Sequence, residues 1–319
     1  METMNGIFGF ITYKIYRLLR NRDFLLILAI LLGLFWGQGA RWTQNMVIPA
    51  LAVVMILSTM GVSGSVFRSP RALLVPALGG LAMNYGVLGS VLFGLNAWLI
   101  REEALRAGFI IMMAVPPAIA VIPFTFLLGG DSTFSLIATI GCYLGALIIM
   151  PLITLGFLGA GFVDRVKLIT IMVELILVPL IFSRILLRSG MSRRIEPFKG
   201  AITNWSFFMV TYTIVGLNRS IFLNQPLSLL PAATIALAAT FLLGLVIEGT
   251  GRIFRIDSKK MISLVLLGTH KNTGLAAGLA LALFSEKTAV PATVSTIFMI
   301  VYIIWLSFKR RWGRNLNME

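Results

Sequence analysis

The sequence is poor in charge and in the residues that build disulfide and metal sites. Its 319 residues include one cysteine, Cys142, and one histidine, His270. A disulfide within the chain and a cysteine-based zinc site are therefore excluded, and we expect no histidine-built metal site. Charged residues make up 12% of the chain, compared with about 25% in an average soluble domain. This composition excludes a soluble globular protein and a disordered tail.

Motifs for ATP use and for catalysis are also absent. No Walker A motif occurs, so ATP is not the direct energy source. Asp131, Glu174 and Glu248 are too scattered in sequence to suggest the paired carboxylates of an intramembrane enzyme. A channel needs a continuous polar pore, whereas the polar residues here concentrate at one depth. We therefore expect neither an enzyme nor a channel, and no cofactor.

Long apolar runs are abundant, because 58% of the residues are hydrophobic. A helix needs about 20 apolar residues to cross a bilayer core of about 30 Å. The first run continues into further runs, so we expect no cleavable signal peptide. The predicted fold is therefore an all-α membrane protein with ten transmembrane helices. The ten spans are 24–41, 45–66, 71–99, 104–129, 132–162, 165–189, 199–223, 228–252, 259–285 and 288–308.

The basic residues predict the orientation of these spans. The formal net charge is +15, with 27 Lys and Arg against 12 Asp and Glu. If the N-terminus is cytoplasmic, most of the Lys and Arg fall in cytoplasmic segments, as the positive-inside rule requires. We expect a plasma (inner) membrane protein with both termini in the cytoplasm. The lipid bilayer thus accounts for the basic charge, and we expect no nucleic-acid partner.

The ten spans divide into two sets of five within a single membrane domain, 1–319. The first repeat covers about 24–162 and the second about 165–308. Since each half has an odd number of spans, the second half enters the membrane with inverted topology. Inverted repeats are common in secondary transporters. We therefore predict an inverted 5+5 repeat.

The fourth span of each half carries a matched irregularity. Span 4 contains Pro116, Pro117 and Pro123, and each proline in a helix interior costs about 3 kcal/mol or more. Span 9 carries a polar run between Gly268 and Gly274 in an otherwise apolar sequence. Polar groups at that depth usually face a bundle interior or a water-filled cavity. Spans 4 and 9 are thus predicted to be discontinuous and to cross, and broken helices in equivalent positions point to a transporter binding site.

Five short motifs stand out along the chain: VIPALA (47–52), MGV (60–62), GDSTFS (130–135), KNTGLA (271–276) and YIIW (302–305). Together they resemble the bile acid–sodium symporter family, which belongs to a superfamily with arsenite and riboflavin transporters. Each motif is weak alone, but their order and spacing together match. The resemblance implies ten spans, an inverted repeat and two broken helices that cross at the centre.

The residues that the resemblance assigns to sodium binding are largely replaced. The family's Ser-Asn pair in span 4 falls on Val121 and Ile122, and its acidic residue in span 9 falls on Leu267. A family Gln in span 3 falls on Asn84, and another in span 9 falls on Lys271. The Ser and Thr ligands early in span 5 and the Asn of span 9 are kept. Those retained residues are Ser135, Thr139 and Asn272.

Lys271 places a cation where the resemblance implies a sodium site. We hypothesise that its ammonium group replaces the sodium ion and bonds to Asn84, Ser135, Thr139 or helix-end carbonyls. A charged Lys271 is then a fixed counter-ion for an anionic substrate in a sodium-independent carrier. A Lys271 that loads and releases a proton would instead give proton coupling, with Glu174 as a second carrier or as its ionic partner. A structural salt bridge is the simpler explanation.

The predicted function is secondary active transport of a small organic anion by alternating access. A proton-coupled carrier that resembles auxin-efflux proteins is the first alternative, and a sodium-coupled symporter is the second. Apolar residues near the site suit an amphipathic anion. No metal site is predicted. The candidate substrate- and ion-binding residues are Asn84, Pro117, Pro123, Thr125, Ser135, Thr139, Thr269, His270, Lys271 and Asn272.

Overall fold

The computed structural model describes residues 21–60, 70–159 and 165–316, and 88% of these residues are helical. No strand occurs among them, which confirms the all-α prediction. The predicted ends of span 2 and of the first repeat, and the cytoplasmic N-terminus, lie outside the described residues. The main helices are α1 Arg22–Trp36, α2 Val47–Thr59, α3 Pro70–Leu81, α4 Gly89–Leu99, α5 Glu103–Ala114, α6 Val121–Leu127, α7 Ser132–Leu158, α8 Arg165–Met172, α9 Val178–Arg188, α10 Ser192–Leu217, α11 Leu230–Leu237, α12 Leu243–Ile253, α13 Ser258–Leu267, α14 Thr273–Leu283 and α15 Val290–Leu316.

Six helical runs in the described residues are long and apolar enough to cross a membrane. The first two predicted spans are joined by short helical turns, so that they form one run. The halves of spans 4 and 9 are each too short to qualify alone. The ten-span inverted repeat therefore stays a prediction. The six runs are Phe24–Leu57, Leu73–Leu99, Ser132–Leu158, Ile169–Arg188, Pro226–Ile253 and Lys287–Arg310.

Span 4 is broken between α5 and α6. Helix α5 ends at Ala114, and Val115 is extended, with φ −71° and ψ 151°. A residue before proline avoids the helical region, so Pro116 ends the helix at this point. The predicted break of span 4 is present, but Pro123 does not contribute to it. Pro123 lies in the first turn of α6, where the missing N–H leaves no intrahelical bond unmade.

Span 9 is broken between α13 and α14. Helix α13 ends at Leu267, and Gly268 is its C-cap. Helix α14 begins after Asn272, whose side chain accepts a hydrogen bond from Leu275 N at 3.0 Å. Asparagine is a favoured N-cap because its side chain satisfies an otherwise free N–H group of the first turn. The polar run of span 9 is therefore a helix end followed by a helix cap.

The two breaks meet and pair in an antiparallel bridge between Pro117 and Lys271. Ala118 N donates to His270 O at 3.2 Å, and Asn272 N donates to Pro116 O at 2.9 Å. Each break thus satisfies backbone groups of the other, as a chain buried away from water requires. We call residues 115–120 and 268–272 together the crossover.

Two groups of helices surround the crossover. Helix α10 packs against α1 and α2, and α9 also packs against α2. In the second group, α7 packs against α3, α5, α6 and α13, while α14 packs against α5 and α15. The crossover lies within the second group, and α10 contacts α14 across the boundary between the groups.

Candidate functional site

Lys271 lies at the centre of the crossover, with 2% of its surface exposed. Its ammonium Nζ donates to Asn84 Oδ1 at 2.8 Å, to Met113 O at 2.8 Å and to Val115 O at 2.9 Å. It also lies 4.3 Å from the centre of the Tyr85 ring, within the range of a cation–π contact. The described residues place no carboxylate within ion-pair distance of this group. A protein-built cage of oxygens therefore surrounds Lys271, and the structural salt bridge considered from sequence does not occur within the described part of the chain.

Two of these oxygens lie at the C-terminal end of α5, Met113 O in its last turn and Val115 O on its C-cap residue. The last carbonyls of a helix have no intrahelical partner, and that end carries about half a negative elementary charge. Pro116 ends α5 so that the carbonyls of Met113 and Val115 remain available. An ammonium group satisfies both carbonyls and matches the sign of the helix end. Every residue has a backbone carbonyl, so a sequence pattern cannot single out Met113 or Val115. The sequence analysis named helix-end carbonyls as possible partners of Lys271, but not these two residues.

Asn84 joins the ammonium group to the other broken helix. It is fully buried in a π-helical turn, Ala82–Leu88, between α3 and α4. Its Nδ2 donates to Leu267 O at 2.9 Å and to His270 O at 3.3 Å, while its Oδ1 accepts from Lys271. All functional atoms of the amide are therefore used, and Asn84 holds the C-terminal end of α13 against the ammonium group.

Tyr143 of α7 supports the crossover from another side. Its hydroxyl donates to Pro117 O at 3.2 Å and accepts a hydrogen bond from Asn272 Nδ2 at 2.7 Å. The residue is 3% exposed. One phenol thus connects both breaks. Sequence analysis did not select Tyr143 because a tyrosine in an apolar helix carries no distinctive signal.

Ser135 and Thr139 do not contact Lys271. Ser135 Oγ lies 2.8 Å from Thr125 Oγ1, and the Thr125 hydroxyl also lies 2.7 Å from Val121 O. The Thr139 hydroxyl is buried and makes no hydrogen bond to any residue in the described ranges. The sequence left several possible partners open for the Lys271 ammonium group. In the structure, its partners are the Asn84 side chain and carbonyls at the end of α5. Thr125 and Ser135 form a separate polar pair between α6 and α7.

Thr269 and His270 face each other within the crossover. The Thr269 hydroxyl donates to Val265 O at 2.6 Å and lies 2.8 Å from His270 Nδ1. Since its one proton goes to the carbonyl, the hydroxyl accepts from Nδ1, which is therefore the protonated ring nitrogen. The imidazole packs near the rings of Phe124 and Tyr302, with centroids 6.3 and 5.9 Å away.

Two neighbouring cavities, which share the lining residues Ile119, Ala120, Phe124 and Phe207, lie between α10 and the crossover. The smaller, about 80 Å³, reaches His270 and Asn272. The larger, about 780 Å³, runs past Pro123 to the Glu196–Lys199 ion pair. Lys271 lines neither cavity. Glu174 is exposed and forms no described ion pair with Lys271.

Replacing Tyr143 with phenylalanine tests the link between the two breaks. The change leaves the carbonyl of Pro117 and the amide of Asn272 without their partner, and an unpaired buried polar group costs about 1–3 kcal/mol. We expect the free energy of unfolding to fall by about 2 kcal/mol, measured by denaturant titration of the purified protein. Tyr85→Phe is the matched control, because that hydroxyl makes one long bond, 3.4 Å, to Cys142 O. Equal effects of the two changes would contradict the role of Tyr143.

Comparison with known proteins identifies the family. The family model of the SBF-like CPA transporters matches residues 23–308, which is most of the chain. A search of curated proteins finds no match. The match confirms the resemblance that the short motifs indicated. Together with the apolar helices, it makes the protein an integral membrane transporter of the bile acid–sodium symporter type. The chain therefore belongs to the SBF-like CPA transporter family.

Proposed function

We propose that this protein is a sodium-independent secondary transporter that moves small organic anions by alternating access. In this proposal the ammonium group of Lys271 takes the place of a bound sodium ion. The observation that carries it is the set of three oxygens around Lys271 Nζ, all at 2.8–2.9 Å.

The contacts of Lys271 support a lysine that stays protonated, and therefore positively charged, throughout transport. A protonated lysine has three N–H donors and no acceptor, and here three oxygens accept one bond each. A neutral amine would present its lone pair to one of these oxygens. Proton coupling through Lys271 would need that unfavourable arrangement, so the geometry favours uniport or exchange.

The surroundings offer little to a sodium ion. Such a hard cation prefers oxygen ligands, but Val121 and Leu267 are fully buried and have no side-chain oxygen. Ser135 is already paired with Thr125. A second cation close to Lys271 would also be repelled, since like charges about 4 Å apart interact by about 4 kcal/mol at an effective dielectric of about 20.

These two neighbouring cavities support alternating access. They lie where α10, from one helix group, faces α6 and α14, from the other. The first turn of α14 borders the smaller cavity, and such a turn favours negative charge. Within the proposed ten-span inverted repeat, the Glu196–Lys199 end of the larger cavity is cytoplasmic, in the plasma (inner) membrane. The described conformation then corresponds to an inward-facing state.

Ion dependence tests this proposal. The full protein in liposomes is assayed by counterflow with labelled short keto acids, decanoate and taurocholate, in sodium, potassium or choline chloride. We expect exchange of at least one acid at the same rate in all three salts. The melting temperature should not rise with sodium, because only an ion that binds the folded state stabilises it. Sodium-driven accumulation, or clear stabilisation by sodium alone, would contradict the proposal.

A further inference from the structure

Three runs that are long and apolar enough to cross the membrane each have one end on the same face of the protein. They are Pro226–Ile253, Lys287–Arg310 and Ser132–Leu158. Lys309, at the end of the second run, forms an ion pair with Glu248, near the end of the first. Asp131 N, just before the third run, donates to Lys259 O, shortly after the first, at 3.0 Å. Since such runs end where the hydrocarbon core ends, this face lies at the level of the lipid headgroups.

The turn at the end of the first run places two apolar residues between two arginines. Residues 252–255 have the sequence RIFR, and we call them the RIFR turn. All four side chains are exposed, Ile253 at 80% and Phe254 at 73%. Apolar side chains at a membrane boundary enter the acyl-chain region, while neighbouring basic side chains reach the headgroups. The RIFR turn therefore offers both kinds of contact that a phospholipid needs.

The carboxylates near the RIFR turn are used by the protein itself. Glu248, four residues before Arg252, pairs with Lys309 instead. Asp131 and Asp257 cap the first turns of α7 and α13, where their side chains accept backbone N–H groups. Neither arginine of the turn forms an ion pair with any residue in the described ranges. The positive charge of the turn is therefore available to an anion from outside the chain.

The backbone of Arg255 is unusual. Its φ is +52°, in the left-handed region that favours glycine, and no other non-glycine residue in the described chain has a positive φ. Glycine would form this turn between α12 and α13 more readily. A binding role for its side chain accounts for an arginine at this position.

We propose that the RIFR turn binds an anionic phospholipid, with its phosphate between the two arginines and its acyl chains against Ile253 and Phe254. Residues 252–260 hold four basic side chains and one acidic one, a net charge of +3, which complements an anionic headgroup. A lipid fits better than a free phosphate, because its headgroup and its chains match both parts of the turn. This inference goes beyond the proposed function and does not depend on which solute is transported.

The RIFR turn leads directly into a half-helix of the crossover. Helix α13 begins at Ser258, three residues after the turn, and packs against α6, α7 and α12. Ser263 Oγ of this helix donates to Asp131 O at 2.9 Å, which ties it to the start of α7. A lipid bound at the turn therefore holds the start of α13 in place. It should raise the melting temperature, because a ligand of the folded state stabilises that state.

Native mass spectrometry of the full protein, titrated with dioleoyl phosphatidylglycerol in a non-ionic detergent, tests the inference. Dioleoyl phosphatidylcholine, which has the same chains and no net charge, is the control lipid and should bind about tenfold more weakly. The double variant Arg252→Gln, Arg255→Gln should weaken phosphatidylglycerol binding about tenfold or more, since each basic residue near an anionic surface contributes about fivefold. The matched control is Arg101→Gln with Arg106→Gln, which removes two exposed arginines near the start of α5, at the opposite end of span 4 from this face. It should bind the lipid as the wild type does.

Arg255→Gly separates lost binding from lost folding. Glycine adopts the φ of +52° without strain, so the melting temperature without lipid should stay the same or rise. Its affinity for phosphatidylglycerol should nevertheless fall about fivefold. Unchanged affinity in the double variant, an equal loss in the control variant, or equal binding of the two lipids would each overturn the inference. The same applies if glycerol 1-phosphate alone raises the melting temperature as much as the lipid does, because the occupant is then a free phosphate.

Discussion

Replacing Lys271 with alanine is expected to lower the free energy of unfolding by about 3 kcal/mol or more and to abolish transport. Removing one partner of a buried charged contact costs about 3–5 kcal/mol because its other partners stay buried and unpaired. Here those partners are Asn84 Oδ1 and the carbonyls of Met113 and Val115. Denaturant titration measures the loss, and Lys259→Ala, at an exposed position, is the control.

Chemical rescue makes this result specific to the ammonium group. Ethylammonium should enter the space that Lys271→Ala leaves and raise its melting temperature, whereas the larger choline ion should not. Lys271→Arg should not restore stability, because a planar guanidinium cannot replace a compact ammonium among three converging oxygens. If Lys271→Ala is as stable as the wild type, or if ethylammonium and choline act alike, the ammonium is not a substitute for a bound ion.

Replacing Asn84 with leucine is expected to have the second-largest effect, about 3 kcal/mol. The change removes an acceptor from the buried ammonium and leaves Leu267 O and His270 O without the amide donor. Loss of hydrogen bonds to a charged group accounts for most of this value. The double variant with Lys271→Ala should be less destabilised than the sum of the two single variants, since both act on one contact.

Asn96→Leu is the matched control for this second prediction. Asn96 is also buried at 2% exposure, but its Nδ2 makes one bond, 3.3 Å, to Arg106 O, and its Oδ1 has no hydrogen-bond partner in the described chain. We expect a loss of about 1 kcal/mol or less, the net value of an ordinary hydrogen bond. Strict additivity of Asn84→Leu and Lys271→Ala would show that the two side chains do not act together.

The two helix breaks could be predicted because proline and glycine constrain the backbone locally. Pro116 and Pro117 end α5 because a residue that precedes a proline avoids helical backbone angles. Asn272 precedes a short apolar run, where an asparagine is recognisable as a helix N-cap. Of the three prolines in span 4, Pro123 does not break the chain, because it lies in a first turn, where the cost of a proline in a helix interior does not apply. The positions of both helix breaks therefore depend on residues within the breaks themselves, which is why they can be predicted from the sequence.

The site could be predicted only in part. Lys271 and Asn84 were selected because polar side chains inside an apolar run are rare. Met113 O, Val115 O and Tyr143 were not selected, since their roles depend on which helix end arrives beside which side chain. Such pairings are properties of the packing.

The paired breaks also have a consequence for biogenesis. Residues 115–120 emerge from the ribosome long before residues 268–272, yet their backbone groups bond to each other. Until the later segment is inserted, the earlier one has polar peptide groups in lipid without their final partners. The newly made first half therefore depends on water, lipid headgroups or an insertion factor during that interval, and it settles in the membrane only when the second half of the chain arrives.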